Sequence, residues 1–145
     1  MDDGYIDPSR AAFDLFKSLP RDVPINMLNL LKFNLVAKYP PGHPNGAHQW
    51  TGERAYKEYG KTSGPIFARV GGSIIWRGHM EVMVIGPEAR HWDSAFIAYY
   101  PNSAAFLEMV TDPEYQSAVI NRQAAVQTSR LIRFNPLETK SSEFA

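Results

Sequence analysis

The chain has 145 residues, 15 basic against 15 acidic side chains, no cysteine, and a hydrophobic fraction of 44%. Its length suits one domain and its composition suits a folded one. Without cysteine there can be no disulfide and no thiolate-held zinc or iron–sulfur centre, and zero net charge supplies no general attraction to nucleic acid or to an anionic membrane.

The apolar runs are short. Residues 27–31 are interrupted by Asn29, and 74–76 and 82–85 are only a few residues long. None approaches the ~20 apolar residues of a membrane helix. The start, Met1-Asp2-Asp3-Gly4, is acidic and polar, unlike a secretory leader. The expectation is a soluble, cytoplasmic protein: one domain over residues 1–145, with an extra N-terminal helix at about 7–19 and a polar C-terminal tail at about 135–145.

In chain order, Asp7-Pro8-Ser9 reads as a helix start, with Asp7 as N-cap and Pro8 at the first helical position. Ala12, Phe13, Phe16 and Leu19 follow at helical spacing, and Pro20 closes the segment. Residues 24–33 carry Ile25, Met27, Leu28, Leu30, Leu31 and Phe33, apolar on both faces, so the segment predicts a central strand covered on both sides. Residues 35–50 form a long loop with three prolines, His43, His48 and Trp50, a length that usually marks a functional or mobile connection. Residues 52–70 have a helical apolar face through Tyr56, Tyr59, Ser63, Ile66, Phe67 and Val70. Gly64-Pro65 predicts a kink or break inside that helix, and Gly71-Gly72 ends it. Residues 73–77 and 81–85 read as two strands joined by a turn at Gly78-His79, and 93–100 as another strand stopped by Pro101. Asn102 caps a short helix, Asp112-Pro113-Glu114 starts a longer one running to about Val126, and 129–134 is the closing strand.

A strand–helix–strand unit used twice predicts an α+β, ferredoxin-like subunit: an antiparallel sheet with helices on one face. Because the central strand is apolar on both faces, the uncovered face needs a partner, and a second copy of the chain is the simplest one.

Several pieces also occur in one order: Met27-Leu28-Asn29-Leu30-Leu31-Lys32-Phe33, Tyr56-Lys57-Glu58-Tyr59-Gly60, Pro65, Val70-Gly71-Gly72, Trp92-Asp93, Tyr100-Pro101-Asn102-Ser103, and Asp112-Pro113-Glu114-Tyr115-Gln116 with Arg122 beyond. Over residues 24–134 this pattern resembles the bacterial domain-of-unknown-function family thirteen-thirty, within the dimeric α/β-barrel superfamily. The resemblance implies a ferredoxin-like subunit whose sheet meets its twin's to form a barrel. It implies no particular reaction. The wider superfamily includes cofactor-independent monooxygenases, lactone isomerases and haem-binding enzymes, and fold alone does not choose among them. The N-terminal helix and the 35–50 loop are additions to the shorter members, placed to close or reshape a pocket.

Arg122 carries the most chemical information. Tyr115, Ala118, Val119, Arg122 and Val126 share one helix face, so a guanidinium sits in an apolar stripe and needs an anion or acceptor. It is read as a clamp for a ligand carboxylate or enolate, the alternative being a structural salt bridge or a snorkelling side chain. Asn29 lies mid-strand among leucines and is read as polarising a ligand carbonyl, or else as a satisfied core amide. Lys32, three residues on, falls on the opposite face unless the strand bulges. Tyr56, Tyr59 and Trp76 are candidate ligand walls, Asp93 a candidate general base, and His48 a candidate acid or base on the long loop. The four histidines make no helical metal pair, there is no phosphate loop and no nucleophile elbow, so no metal and no organic cofactor is expected. The function read from the sequence is a cofactor-independent enzyme acting on an anionic or carbonyl-bearing metabolite, by oxygenation, isomerisation or proton transfer. The alternative is a non-catalytic ligand-binding or structural dimeric module.

Overall fold

A computed structural model describes residues 4–144. In chain order it has α1 (Arg10–Ser18), β1 (Ile25–Phe33), a short 3-10 turn (Pro44–His48), α2 (Gly52–Arg69), β2 (Ser73–Gly78), β3 (Ser94–Tyr100), α3 (Ser103–Thr111), α4 (Pro113–Ala125) and β4 (Val126–Phe134). The strands form one sheet in the order β2-β3-β1-β4, with every pairing antiparallel. With α2 between β1 and β2, and α3 and α4 between β3 and β4, this is the ferredoxin-like α+β arrangement expected from the sequence.

Local chemistry sets most boundaries. Thr51, Asn102 and Asp112 cap α2, α3 and α4 with side-chain oxygens that accept from Arg54, Ala105 and Glu114 backbone N–H groups. The cap of α1 is Ser9, whose Oγ accepts from the Ala12 N–H at 3.1 Å. Asp7, expected in that place, instead accepts from Gln123 on α4 at 3.1 Å. Gly71, at φ +91°, supplies the left-handed residue that ends α2. Pro65 does not break α2, which is helical through Arg69. Its missing N–H would have met the carbonyl of Lys61, which is exposed and can be hydrated instead.

The expected strand at 81–85 is absent: residues 79–93 carry no helix or strand. Val82, Val84 and Ile85 are exposed there, so this apolar run buries little within one subunit. No helix among the described residues is long and apolar enough to cross a membrane.

Strand β1 alternates strictly up to its C-terminal end. Ile25, Met27, Asn29 and Leu31 are buried towards the helices, while Asn26, Leu28, Leu30 and Lys32 are half-buried on the other face. Direct pairing adds Tyr100, Ala98, Phe96, Ser129, Leu131 and Arg133 to the helix face. It adds Tyr99, Ile97, Ile132 and Phe134 to the open face. One core cluster joins Ile25, Met27, Ala98 and Tyr100 to Ile66, Phe106, Met109 and Tyr115; a second gathers Leu31, Ala55, Ala125 and Val126.

Candidate functional site

Between the helix face of the sheet and α2 and α4 lies a cavity of about 1650 Å³. Arg122, Asn29, Tyr56, Tyr59, Asp93, Phe33, Phe96, Tyr115 and Ser129 all line it, and residues 5–9 with one side of α1 form its outer wall.

Helix α4 delivers Arg122 from its last turn. The residue is 8% exposed. Its Nη1 donates to the Ile6 carbonyl at 2.6 Å and its Nη2 to Ser129 Oγ at 3.2 Å. Ser129 Oγ in turn donates to the Tyr5 carbonyl at 2.7 Å. Both acceptors are neutral, and among the described residues no carboxylate forms an ion pair with Arg122. Among the described residues the structural salt bridge is therefore not formed, and a buried cation lines the cavity with two of its five N–H donors engaged there.

The wall beside it is aromatic. The Tyr56 ring lies 5.4 Å from Phe33, 5.2 Å from Tyr59 and 6.5 Å from Phe96. Tyr59 and Tyr115 hydroxyls share a hydrogen bond of 2.9 Å. Tyr56 has the other kind of hydroxyl: it has no hydrogen-bond partner among the described residues. Burial pushes the Tyr56, Tyr59 and Tyr115 phenols above their ordinary range. For Tyr56 the neighbouring Tyr59 adds to that rise and the Arg122 guanidinium opposes it. The phenols are thus neutral hydrogen-bonding groups at physiological pH.

Asn29 is also 8% exposed, on the floor of the cavity. Its Nδ2 donates to the Met27 carbonyl at 3.1 Å, and its Oδ1 has no partner among the described residues. Asp93 reaches the cavity at the entrance of β3, but its carboxylate is already engaged. Oδ2 accepts the Phe33 N–H at 2.8 Å and Oδ1 lies 3.5 Å from His91 Nε2. It ties the end of β1 to β3, an anchoring task different from the base role read from the sequence.

Two expected residues lie elsewhere. Trp76 is on the open face of the sheet, 50% exposed, and lines no part of the cavity. Simple alternation would put it beside Ile74, but β2 bulges between Ile74 and Trp76, and the extra residue turns the indole to the far side. His48 stacks on Trp50 with ring centroids 4.5 Å apart, outside the cavity. The whole 35–50 loop is held away from the pocket, against the outer side of α4. Tyr39 Oη donates to Asn121 Oδ1 at 2.6 Å, Asn45 Nδ2 to the same oxygen at 3.0 Å, and the Lys38 N–H to the Ala124 carbonyl at 2.8 Å. The segment that walls the cavity is the N-terminal arm instead. Lys32 points away from Asn29, because the irregularity in β1 comes only after it, between Lys32 and Phe33.

Phe33, Phe96 and Ser129 were not read from the sequence as site residues. Strand parity could have found Phe96, which pairs directly with Asn29. Ser129 depends on the pairing of β4 with β1, which no local signal specifies. Among the described residues no group of three or more His, Asp or Glu side chains is arranged to hold a metal ion.

The chain as a whole is similar to solved structures. A protein of unknown function from Rhodopseudomonas palustris is 48% identical, with a TM-score of 0.86 over 94% of this chain and 99% of that one. A methylated form of it gives 48% identity and 0.87 over 99% and 100%. SnoaB, a cofactor-independent oxygenase from Streptomyces nogalater, shares the fold at 14% identity, with a TM-score of 0.50 over 83% of this chain and 99% of that one. No curated protein matches the chain. The family model described as a domain of unknown function, DUF1330, matches residues 46–133, from the turn before α2 to the end of β4, and the chain belongs to that family.

Proposed function

We propose that this protein binds a planar, anionic metabolite in the cavity between sheet and helices, with Arg122 as the anion clamp. The observation that carries the reading is the guanidinium itself: 8% exposed, lining the cavity, and held among the described residues by neutral acceptors alone. A buried charge without a counterion costs several kcal/mol, a cost that a ligand carboxylate would offset on binding. The rings of Phe33, Tyr56, Tyr59 and Phe96 suit a flat apolar body.

The chemistry that fits these groups is stabilisation of a developing enolate or oxyanion by Arg122 and neutral phenols, as in cofactor-independent oxygenation, isomerisation or proton transfer. A non-catalytic binding module is the second reading. It is favoured by the phenols being held neutral and by Asp93 being occupied by the Phe33 N–H, so that this wall offers hydrogen bonds more readily than a base. Whether a bound carboxylate is recovered unchanged separates the two.

The working form is a homodimer closed on the open face of the sheet. Leu28, Leu30 and Ile97 there are only half-buried, and Trp76, Ile132 and Phe134 are exposed. Asn26 Oδ1, on the same face, is buried without a hydrogen-bond partner in one subunit. An apolar face of this extent favours association, and a second copy meets no net repulsion.

A thermal-shift screen of aromatic and aliphatic carboxylates tests the clamp. At least one should raise the melting temperature of the wild type and not that of Arg122→Met. The reading fails if both proteins respond alike to every carboxylate.

A further inference from the structure

The cavity has two chemically opposite poles, and they specify the ligand more narrowly than its charge does. One pole is Arg122, a donor-only group. The other is Asn29, whose amide orientation is set by its own strand. Nδ2 donates to the Met27 carbonyl at 3.1 Å. Reversing the amide would press Oδ1 against that carbonyl oxygen, acceptor against acceptor, so the nitrogen must face Met27. The oxygen is then left for the cavity. It has no partner among the described residues, in a residue that is 8% exposed and lines the pocket. A cavity-facing amide oxygen with no donor among the described residues can accept a hydrogen from a ligand. The role read from the sequence, polarising a carbonyl, required the amide to present its nitrogen instead.

The sheet puts the two poles on one face. Arg122 is fixed by Ser129, which pairs with Leu31, and Asn29 lies two residues before Leu31 on the same face. Asn29 thus sits about 7 Å along β1 from Leu31, and both poles line the same cavity. The Tyr56, Tyr59 and Phe96 rings lie along the same cavity, and the unpaired Tyr56 hydroxyl adds a group that can donate or accept.

We infer that the ligand is a hydroxylated aromatic carboxylate, its carboxylate held by Arg122 and its hydroxyl donating to Asn29 Oδ1. The inference rests on the anion-clamp reading and adds to it a required hydrogen-bond donor at the far end.

The test is a calorimetric comparison on the wild-type protein, within a one-ring series (benzoate, para-hydroxybenzoate, para-methoxybenzoate) and the corresponding naphthoates. All members carry the same carboxylate; only the hydroxyl compounds can donate. The hydroxyl compound should bind about tenfold more tightly than its methoxy partner, the scale of one buried hydrogen bond made or left unmade. Asn29→Leu should erase that preference while keeping affinity for the unsubstituted acid. The decisive comparison uses the wild type, so it stands even if that variant folds poorly. Equal binding of hydroxyl and methoxy compounds, or a preference for methoxy, would overturn the inference and leave the clamp standing. Failure of every carboxylate to bind would overturn both.

Discussion

Replacing Arg122 by methionine separates a ligand clamp from a structural strut without any ligand. The substitution keeps the unbranched stem of the side chain and removes the charged head. It deletes the two charge-assisted hydrogen bonds to Ile6 and Ser129. At about 1.5–3 kcal/mol each, these represent roughly 3–6 kcal/mol of gross interaction. Against this, the variant no longer holds a guanidinium, 8% exposed, without a counterion, a desolvation cost that is itself several kcal/mol. Ser129 Oγ keeps its bond to the Tyr5 carbonyl, so only the Ile6 carbonyl is left to find water. The opposing terms are of one size, and the ligand-free variant should unfold within about 1 kcal/mol of wild type, or above it. The assay is urea denaturation followed by circular dichroism, at one fixed subunit concentration so that any association contributes equally to both proteins. A loss of about 3–5 kcal/mol, the usual result of breaking a well-compensated buried pair, would refute the reasoning and make Arg122 a strut.

The tyrosines should divide by their partners. Tyr59→Phe leaves the Tyr115 hydroxyl without its 2.9 Å bond and should cost about 1 kcal/mol in the same denaturation assay, whereas Tyr56→Phe removes an unpaired hydroxyl and should be nearly neutral. Gly52→Ala, a change that ordinarily favours a helix, should instead destabilise by about 1–3 kcal/mol, because the new Cβ would collide with the Asn34 and Ala125 carbonyl oxygens. Raising pH should destabilise the fold. Tyr56 and Tyr115 lose their protons less readily folded than unfolded, so stability is level below about pH 10 and falls above it as the unfolded chain releases protons first. Chemical denaturation across that range, with phenolate absorbance followed in parallel, checks both sign and window. Ile132→Asp, on the exposed open face, should halve the mass seen by light scattering while leaving circular dichroism unchanged; an unchanged mass would remove that face from the dimer interface.

The ferredoxin-like order was legible because its signals are local. Ser, Thr, Asn and Asp caps, Pro at the first helical position, glycine stops and the two-residue period of β1 each act within a few residues. The same period put Asn29 on the buried face and the helical spacing put Arg122 in an apolar stripe, and both line the cavity. The errors arose where non-local pairing overrode local pattern. The bulge in β2 reversed Trp76, and nothing in the sequence of residues 73–78 announces it. Residues 81–85 have the short β-branched apolar run of a strand but do not pair with the sheet of the described residues. His48 was drawn towards the site by its unusual loop, yet Asn121, on the outer side of α4, supplies the hydrogen bonds that hold that loop away. The polarity of Asn29 needed atomic geometry, since only the Met27 hydrogen bond tells which end of the amide faces the cavity.

The central claim is that the buried charge of Arg122 selects an anion. Equilibrium titration of the wild-type protein with an aromatic carboxylate and with its carboxamide, equal in shape and differing in charge, measures that selection directly. The account predicts at least about tenfold tighter binding of the carboxylate, a preference that disappears in Arg122→Met. Equal affinity for acid and amide in the wild type would contradict it.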